Sequence, residues 1–364
     1  MKVLQVIDSL GLGGAEVLVA EMYSGLQERG IECEYYLLCG NKTPLEQRLV
    51  LQGARIHAPI AVSVYSPMHI LALKRHLRNF EYDVVHVHLF PAQLWTACGA
   101  RAASITTPLV TTEHSTHTRR RTGCYRIIDR WMYAQYRHIA ANSPATVDHL
   151  VAWLPEVRSH ITECPNGINV NAFASAPTAD KQVLFSISAN LPVVLCVGRL
   201  ETVKGHDTLL RAITLVPNVV LALAGDGSLM EHLRGLAYKL GIISRVRFLG
   251  RRTDVPQLLK AADVYVQPSR WEGFGIAALE AMAAGKPVVA SDVPGLAQVV
   301  GDAGLLFAPG DTGQLAQRIA MLLDDAALRR KLGVLAHQRA IAFGLDNTLD
   351  CYDKLYRNVV EHND

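Results

Sequence analysis

The sequence predicts an α/β protein made of two parallel-sheet domains in tandem. Three observations carry this expectation. Short apolar runs alternate with longer amphipathic segments from end to end, which is the pattern of parallel strands joined by helices. The alternation pauses once, near the middle. The residues that carry chemistry follow strands, where open parallel sheets bind ligands. Strands are expected at 2–8, 34–38, 83–87, 109–112 and 139–141 in the first half. In the second half they are expected at 193–198, 219–224, 246–249, 264–267 and 287–290. Helical patterns lie between them, among them 15–29, 69–78, 229–240 and 277–284.

The chain has 364 residues, enough for two domains. Half are apolar and 19% are charged, an ordinary globular balance with material for two cores. A net charge of +3 does not point to a nucleic-acid partner. The pause at 164–179, CPNGINVNAFASAPTA, is rich in Asn, Pro, Ala and Ser and reads as a linker. It divides an expected domain at 1–170 from one at 171–344. The seven cysteines are odd in number and contain no C-x-x-C pair. A disulfide framework or structural zinc site is therefore not expected, and a reducing compartment is. The start, MKVLQVIDSLGLGGAE, has too short an apolar run for a signal peptide, and no run of about 18 apolar residues would span a bilayer. The expected location is the cytoplasm, with peripheral contact at the inner membrane face as a further expectation.

Four segments carry the functional argument. GLGGAE at 11–16 follows the first strand and opens a helix, so its small residues bring backbone N–H groups near an anion. It does not complete a dinucleotide fingerprint, because Glu16 stands where the third glycine would fall. VGRLETVKGHDTLLRA places Arg199 and Lys204 in a strand-to-helix loop, where two cations suit a diphosphate without a metal; solvated surface cations are the plain alternative. LALAGDGSLMEHL puts Gly225, Asp226 and Gly227 after another strand, as a ligand turn or an ordinary helix start. PSRWEGFGIAALEAMAAGKPVVAS puts Glu272 in a loop and Glu280 on the helix after it, with Gly273 and Gly275 flanking Phe274. The helix start at Gly275–Ala277 suits a phosphate, and the two carboxylates suit sugar and ribose hydroxyls.

This last segment resembles glycosyltransferase family 4, the retaining transferases of the GT-B fold. GGAE, VGRL with Lys204, AGDG and PNGIN support the resemblance in the right order over nearly the whole chain. It implies two Rossmann-like domains facing a central cleft, with the C-terminal helix 345–364 returning to the first domain. It implies that Glu280 binds the ribose, that Glu272 meets the donor sugar near the reacting centre, and that Phe274, Gly275, Ile276 and Ala277 contribute backbone N–H groups. Arg199 and Lys204 would hold the diphosphate, with Gly13 and Gly14 closing on it. Gly225 belongs to the same donor side, and Gly250 and Arg251, in RFLGRRTD, would meet the base. His114, in TTEHSTH, would lie near the donor sugar. No Asp-x-Asp motif is present, so neither a metal nor another cofactor is expected.

The expected activity is transfer of a sugar from a UDP-sugar, with a GDP-sugar next, to a hydroxyl acceptor of the lipid-linked or surface-polysaccharide precursor class. A nucleotide-sugar epimerase of the same architecture, an NAD-dependent oxidoreductase and a nucleotide-sugar-binding regulator stay open as alternatives. His86 and His88 point to one side of a strand; that spacing could hold zinc, but no third ligand is evident, and a structural or acceptor-lining role is expected. The stretch 119–138, RRRTGCYRIIDRWMYAQYRH, interleaves arginines with aromatic residues. It is read either as a surface for anionic lipid or a phosphate-bearing acceptor, or as an amphipathic helix packed on its sheet.

Overall fold

The computed structural model describes all residues except 12, 59, 61, 115–122, 124, 188–190 and 363–364. The chain forms two compact units, Met1–Gly167 with Leu345–Asp364, and Ile168–Gly344. The division falls just before 170/171 for a packing reason. The Ile168 amide donates to the Phe343 carbonyl (3.1 Å), and Val170 and Phe173 pack on the second core. Part of the expected linker is thus a helix, Val170–Ala174, capped by the Asn169 side chain.

The first unit holds a seven-stranded parallel sheet of β1 (Lys2–Ile7), β2 (Glu32–Leu37), β3 (Arg55–His57), β4 (Val84–His88), β5 (Leu109–Glu113), β6 (His138–Ala141) and β7 (Ile161–Glu163), in the order β3-β2-β1-β4-β5-β6-β7. The central strands are covered on both faces, which is why they read as apolar runs. Their exceptions are polar: Gln5, His86, His88, Thr111, Thr112 and Glu113 are all buried. The second unit holds β8 (Val193–Val197), β9 (Val220–Ala224), β10 (Val246–Gly250), β11 (Val264–Gln267), β12 (Val288–Ser291) and β13 (Leu305–Phe307), in the order β10-β9-β8-β11-β12-β13. Every strand pair in both sheets is parallel.

The C-terminal helix Leu345–Glu361 belongs to the first unit and places Leu349, Tyr352, Tyr356 and Val359 on one face, the spacing of a helix buried along a stripe. Each such side chain stabilises by roughly 1.5–3 kcal/mol. Gly25 permits the close packing: a Cβ there would stand 2.3 Å from Leu349 Cδ1. This helix also corrects the cysteine reading. It carries Cys351 to Cys164, and the two form a disulfide with Cα atoms 5.8 Å apart. The partners are 187 residues apart in sequence, so no local spacing could announce them.

Candidate functional site

In both sheets the first strand lies between the second and the fourth, so the strand order reverses beside it. The crevice at such a reversal, at the carboxyl ends of the strands, is where open α/β sheets take ligands. In the second unit this point lies between β8 and β11, and the loops that leave those strands carry Arg199, Lys204 and Glu272.

The structure brings Lys204 and Glu272 together. Lys204 Nζ stands 2.7 Å from Glu272 Oε2, with both side chains largely shielded from solvent. The same oxygen accepts from the Ser269 hydroxyl (3.0 Å), and Ser269 Oγ accepts from Gln267 Nε2 (2.9 Å). The Tyr265 hydroxyl donates to Gln267 Oε1. A buried line of hydrogen bonds along β11 therefore aims Glu272, and a charged hydrogen bond at its end ties it to Lys204. The Tyr265 phenol is pushed well above its ordinary value, first by burial and then by Cys196, Glu280 and Glu272. Both glutamates of the motif thus act on one buried hydroxyl.

The two loops are clamped by Arg270. Its guanidinium donates to the Thr202 carbonyl (2.6 Å) and to Asp207 Oδ2 (2.7 Å), and its amide donates to the Val203 carbonyl (2.7 Å). Burial alone would raise the Asp207 carboxyl, but the bond to Arg270 and its charge outweigh this and hold it below its ordinary value. Gly205 follows Lys204 in the left-handed region, where a Cβ would meet the Pro268 carbonyl oxygen at 2.0 Å. His206 beside it is kept neutral by burial, to about 4, with the Lys204 charge pushing the same way. Arg199 is exposed and has no ion pair among the described residues. Of the two cations, one is held by Glu272 and the other is open to an incoming anion.

Gly198, Gly225 and Gly250 end the neighbouring strands β8, β9 and β10. Gly198 N–H donates to Ala224 O (2.9 Å), and Gly225 N–H to Gly250 O (2.8 Å). A Cβ on Gly225 would lie 1.9 Å from Gly198 O, so these positions pack backbone on backbone. The Gly227 N–H donates to Asp226 Oδ1, and a Cβ there would stand 2.5 Å from Leu200 O, while Ser228 donates to Glu201 through both its amide (3.2 Å) and its hydroxyl (2.9 Å). Arg251 is exposed and pairs loosely with Asp226 at 3.5 Å.

The helix after the glutamate loop is Ile276–Ala283, with Gly275 as a left-handed N-cap that makes no side-chain bond to the first turn. The N–H groups of a first turn have no partner within the helix, so the Gly275–Ala277 backbone offers donors. Phe274 is divided between roles. Its ring is buried edge-on against Phe343 at 5.6 Å, so only its backbone is left for a ligand. Glu280 is half-buried one turn further along.

In the first unit, Gly13 is the N-cap and Gly14 the first residue of the helix Gly14–Glu28. The Glu16 side chain folds over this start: a Cβ on Gly13 would meet Glu16 Oε2 at 2.1 Å. An anion approaching Gly13 and Gly14 must first move that carboxylate. His114 follows β5 and is held through its carbonyl by Asn142 Nδ2 (3.1 Å). Its ring reaches His88, with Nε2 3.1 Å from His88 Nδ1. A third imidazole therefore does join the pair on β4, which the sequence spacing did not reveal. Zinc is still not favoured there, because both ring nitrogens of His86 and of His88 are already in hydrogen bonds.

The basic aromatic stretch resolves into parts. Arg119, Arg120 and Arg121 lie outside the described residues. A helix spans Tyr125–Tyr133, burying Asp129, Met132 and Tyr133; Arg137 lies in the turn after it, and His138 opens β6. Trp153 Nε1 donates to Asp129 Oδ2 (3.0 Å), which explains the one acid on the inward face. Arg126, Ile127, Arg130 and Trp131 face outward. Glu156 pairs with Arg130.

Sequence reasoning missed Gly198, Gln267, Ser269 and Arg270. Gly198, Ser269 and Arg270 stand inside quoted motifs, and for the first two the position at a strand end was the available signal. The pairing of Arg270 with Thr202 and Asp207 joins two motifs more than sixty residues apart, which no local spacing shows.

Two Rossmann-like units, each with a parallel sheet whose strand order reverses beside its first strand, are the architecture of the GT-B fold. The comparisons with known proteins agree. The family described as "Glycosyl transferases group 1" matches residues 181–339, and "Glycosyltransferase Family 4" matches residues 12–172. A phosphatidyl-myo-inositol mannosyltransferase of Mycobacterium leprae is 31% identical, over 88% of this chain and 86% of that one. A D-inositol 3-phosphate glycosyltransferase of Corynebacterium diphtheriae is 26% identical, over 91% and 86%. The crystal structure of Anabaena HepE in complex with UDP and glucose shares the fold, with a TM-score of 0.85 at 24% identity over 98% of this chain and 99% of that one. The chain belongs to the family 4 glycosyltransferases. It is a transferase enzyme of the GT-B fold.

Proposed function

We propose that the enzyme moves a sugar from a nucleoside-diphosphate sugar, a UDP-sugar before a GDP-sugar, to an acceptor hydroxyl with retention of anomeric configuration. The observation that carries this reading is the Lys204–Glu272 pair at the strand reversal, with exposed Arg199 beside it. A diphosphate would draw Lys204 and Arg199 onto its oxygens. Glu272, released from Lys204 but still aimed by Ser269, would then meet the hydroxyls of the donor sugar. Glu280 would take the ribose hydroxyls, and the Gly275–Ala277 backbone the phosphate. Gly225, Gly250 and Arg251 would border the nucleoside.

The chemistry follows from charge. As the bond from the anomeric carbon to the diphosphate breaks, negative charge grows on the leaving group and positive charge on the sugar. Lys204, Arg199 and the helix start stabilise the first of these without a metal. The acceptor hydroxyl attacks from the face the diphosphate leaves, and its proton passes to the departing phosphate oxygen. The new bond to the acceptor oxygen then has the configuration of the old one.

For the acceptor we favour a lipid-linked or surface-polysaccharide precursor, bound by the first unit. The names of the inositol-directed relatives support a polar hydroxyl acceptor of this general kind. The outward face of the helix Tyr125–Tyr133, with Ile127 75% exposed between Arg126 and Arg130, supports peripheral contact with an anionic membrane. No described helix is long and apolar enough to cross a membrane.

The test begins with calorimetric binding of UDP, GDP, ADP and NAD to wild type and Glu280→Ala. One nucleoside diphosphate should bind, and the variant should lose it. The matching nucleotide sugar is then offered with hydroxyl acceptors and the product linkage read by NMR. An inverted linkage would remove the retaining mechanism, and binding of NAD alone would remove the transferase reading of the site. For the membrane contact, flotation with anionic vesicles should drop on Ile127→Glu or on charge reversal at Arg119–Arg121; unchanged flotation in both would end that idea.

A further inference from the structure

A continuous line of polar side chains crosses the interior of the first unit and ends on His114. His114 Nε2 lies 3.1 Å from His88 Nδ1, and His88 Nε2 lies 2.8 Å from Gln5 Oε1. Gln5 Nε2 lies 3.1 Å from the Tyr356 hydroxyl, which lies 2.6 Å from His86 Nδ1. His86 Nε2 reaches Thr112 Oγ1 at 2.7 Å, and Thr112 Oγ1 reaches the Tyr352 hydroxyl at 3.0 Å. Strands β1, β4 and β5 contribute Gln5, His86, His88 and Thr112, and the C-terminal helix covers them with Tyr352 and Tyr356. All of these except His114 are at most 1% exposed. An apolar core would have been simpler, because each polar group left unpaired here costs about 1–3 kcal/mol.

The line has a direction, and Gln5 sets it. Its amide is the one member whose donor and acceptor ends cannot exchange by moving a proton. With Oε1 facing His88, His88 Nε2 must carry hydrogen and donate, so His88 Nδ1 is a lone pair. His114 Nε2 must then carry hydrogen and donate to it. At the other end, Gln5 Nε2 donates to Tyr356, Tyr356 donates to His86 Nδ1, His86 Nε2 donates to Thr112, and Thr112 donates to Tyr352. Every link has one hydrogen and one acceptor. Neutral imidazoles are required throughout, and burial holds His86 and His88 well below their ordinary value and His114 down to about 4. The remaining nitrogen, His114 Nδ1, is shielded from solvent and has no partner among the described residues. With the reverse direction it would be an N–H buried without an acceptor, the rarer and costlier orphan.

We propose that Gln5 and His88 are positioning residues that lock His114 as its Nε2–H tautomer, so that Nδ1 presents a lone pair to a hydroxyl of the sugar substrate. This deepens the transferase reading and rests on it for the identity of the substrate. The lock itself is a property of the free protein. A histidine able to switch tautomers would spend part of its time presenting N–H, a donor, to the same hydroxyl and would impose no orientation on it.

The experiment uses the full chain labelled with nitrogen-15 at histidine. Protonated and bare ring nitrogens resonate far apart, so the tautomer is read directly, with His114→Asn for assignment. Wild type should show His114 with Nδ1 bare and Nε2 protonated; the opposite tautomer would overturn the proposal. Gln5→Glu keeps an acceptor facing His88, though it loses the donor to Tyr356, and should keep the tautomers of His88 and His114, whereas Gln5→Met removes the acceptor and should give a mixture of tautomers at both His88 and His114. An unchanged spectrum in Gln5→Met would overturn the role of Gln5. In transfer assays kcat should fall about three- to tenfold in Gln5→Met, the size of one neutral hydrogen bond, recover in Gln5→Glu, and leave nucleoside-diphosphate affinity unchanged. A kcat equal to wild type in both Gln5→Met and His114→Asn would overturn the substrate contact. If wild type itself transfers no sugar, the proposed function fails, while the spectra still decide the direction of the lock.

Discussion

Replacing Lys204 by Met should separate the two tasks assigned to the Lys204–Glu272 pair. The side chains are 17% and 15% exposed and meet at 2.7 Å. Removing one partner of a fully buried pair costs 3–5 kcal/mol, because the other charge is stranded. Here solvent reaches both groups, and Ser269 still donates to Glu272. The expected loss is therefore smaller, about 2 kcal/mol, or roughly 4–8 °C in the melting temperature of a unit this size. The double variant Lys204→Met, Glu272→Leu should recover most of that loss, since no charge is then stranded. Donor binding should not recover. A charged hydrogen bond to diphosphate contributes about 1.5–3 kcal/mol, so nucleoside-diphosphate affinity should fall about 10- to 150-fold in both variants. Thermal melts and titration calorimetry on the four proteins of the cycle measure both. The reasoning is refuted if Lys204→Met binds the nucleotide as tightly as wild type, or if the double variant melts below Lys204→Met.

Three further outcomes are expected. Glu280→Ala should weaken nucleoside-diphosphate binding by about 10- to 150-fold, the size of the charged hydrogen bond to ribose proposed for it; equal affinity by calorimetry would contradict it. Reducing the Cys164–Cys351 disulfide should destabilise the first unit by about 2–5 kcal/mol, and Cys351→Ser should melt like the reduced wild type. Stability should fall as pH drops from about 6.5 toward 4, because burial leaves His76, His114 and His206 with folded values of about 4, below those of the unfolded chain. Their contribution is complete above the unfolded value and is lost as they are forced to charge. The Glu34 carboxyl, which burial would raise but which His57, Lys2 and Tyr82 hold down to about 2, adds a second loss between about 4.5 and 2. A denaturation series that stays flat from pH 7 to 4 would contradict this.

The architecture was legible because its signals are local. Apolar runs such as those of β4 and β11 and the amphipathic segments between them repeat within a few residues, and the glutamate loop is continuous in sequence. The strands that escaped, β3, β7 and β13, are three residues each and too short to show a period. What the sequence could not show is pairing at a distance. Cys164 meets Cys351, Arg270 meets Asp207, and Gln5 meets both His88 and Tyr356, all across large separations. His86 and His88 were visible as a spaced pair, but their function as links in a chain depends on Gln5, Thr112 and the C-terminal tyrosines. For the stretch 119–138 two readings were open, and the helix Tyr125–Tyr133, which buries Asp129, Met132 and Tyr133, fits the amphipathic helix; the pattern did not show that the chain turns at Arg137 and enters the sheet at His138.

The two sheets share the strand order around their reversal, and the side chains at equivalent places differ in charge. In the second unit the strand reversal carries Lys204, exposed Arg199 and a helix start with no side-chain cap, all suited to negative charge. At the corresponding reversal of the first unit, Asp8 Oδ1 accepts from the Ala92 amide (2.9 Å) at the start of the helix Ala92–Ala103, and Glu16 folds over Gly13. A free diphosphate would meet carboxylates there. The ring beyond them, His114, is neutral and is held neutral by the chain behind it. Such a surface suits hydroxyl groups, which need oriented hydrogen bonds and no charge. The same strand reversal thus carries different charge in the two units, because the side chains at the strand ends, not the sheets, set it. Exchanging charge between the two places should follow the same logic. Glu16→Gln should leave the fold intact and raise the affinity of the Gly13–Gly14 helix start for inorganic phosphate, by relieving repulsion there. Phosphate binding no tighter in Glu16→Gln than in wild type would mean that this carboxylate does not set the charge preference of the helix start.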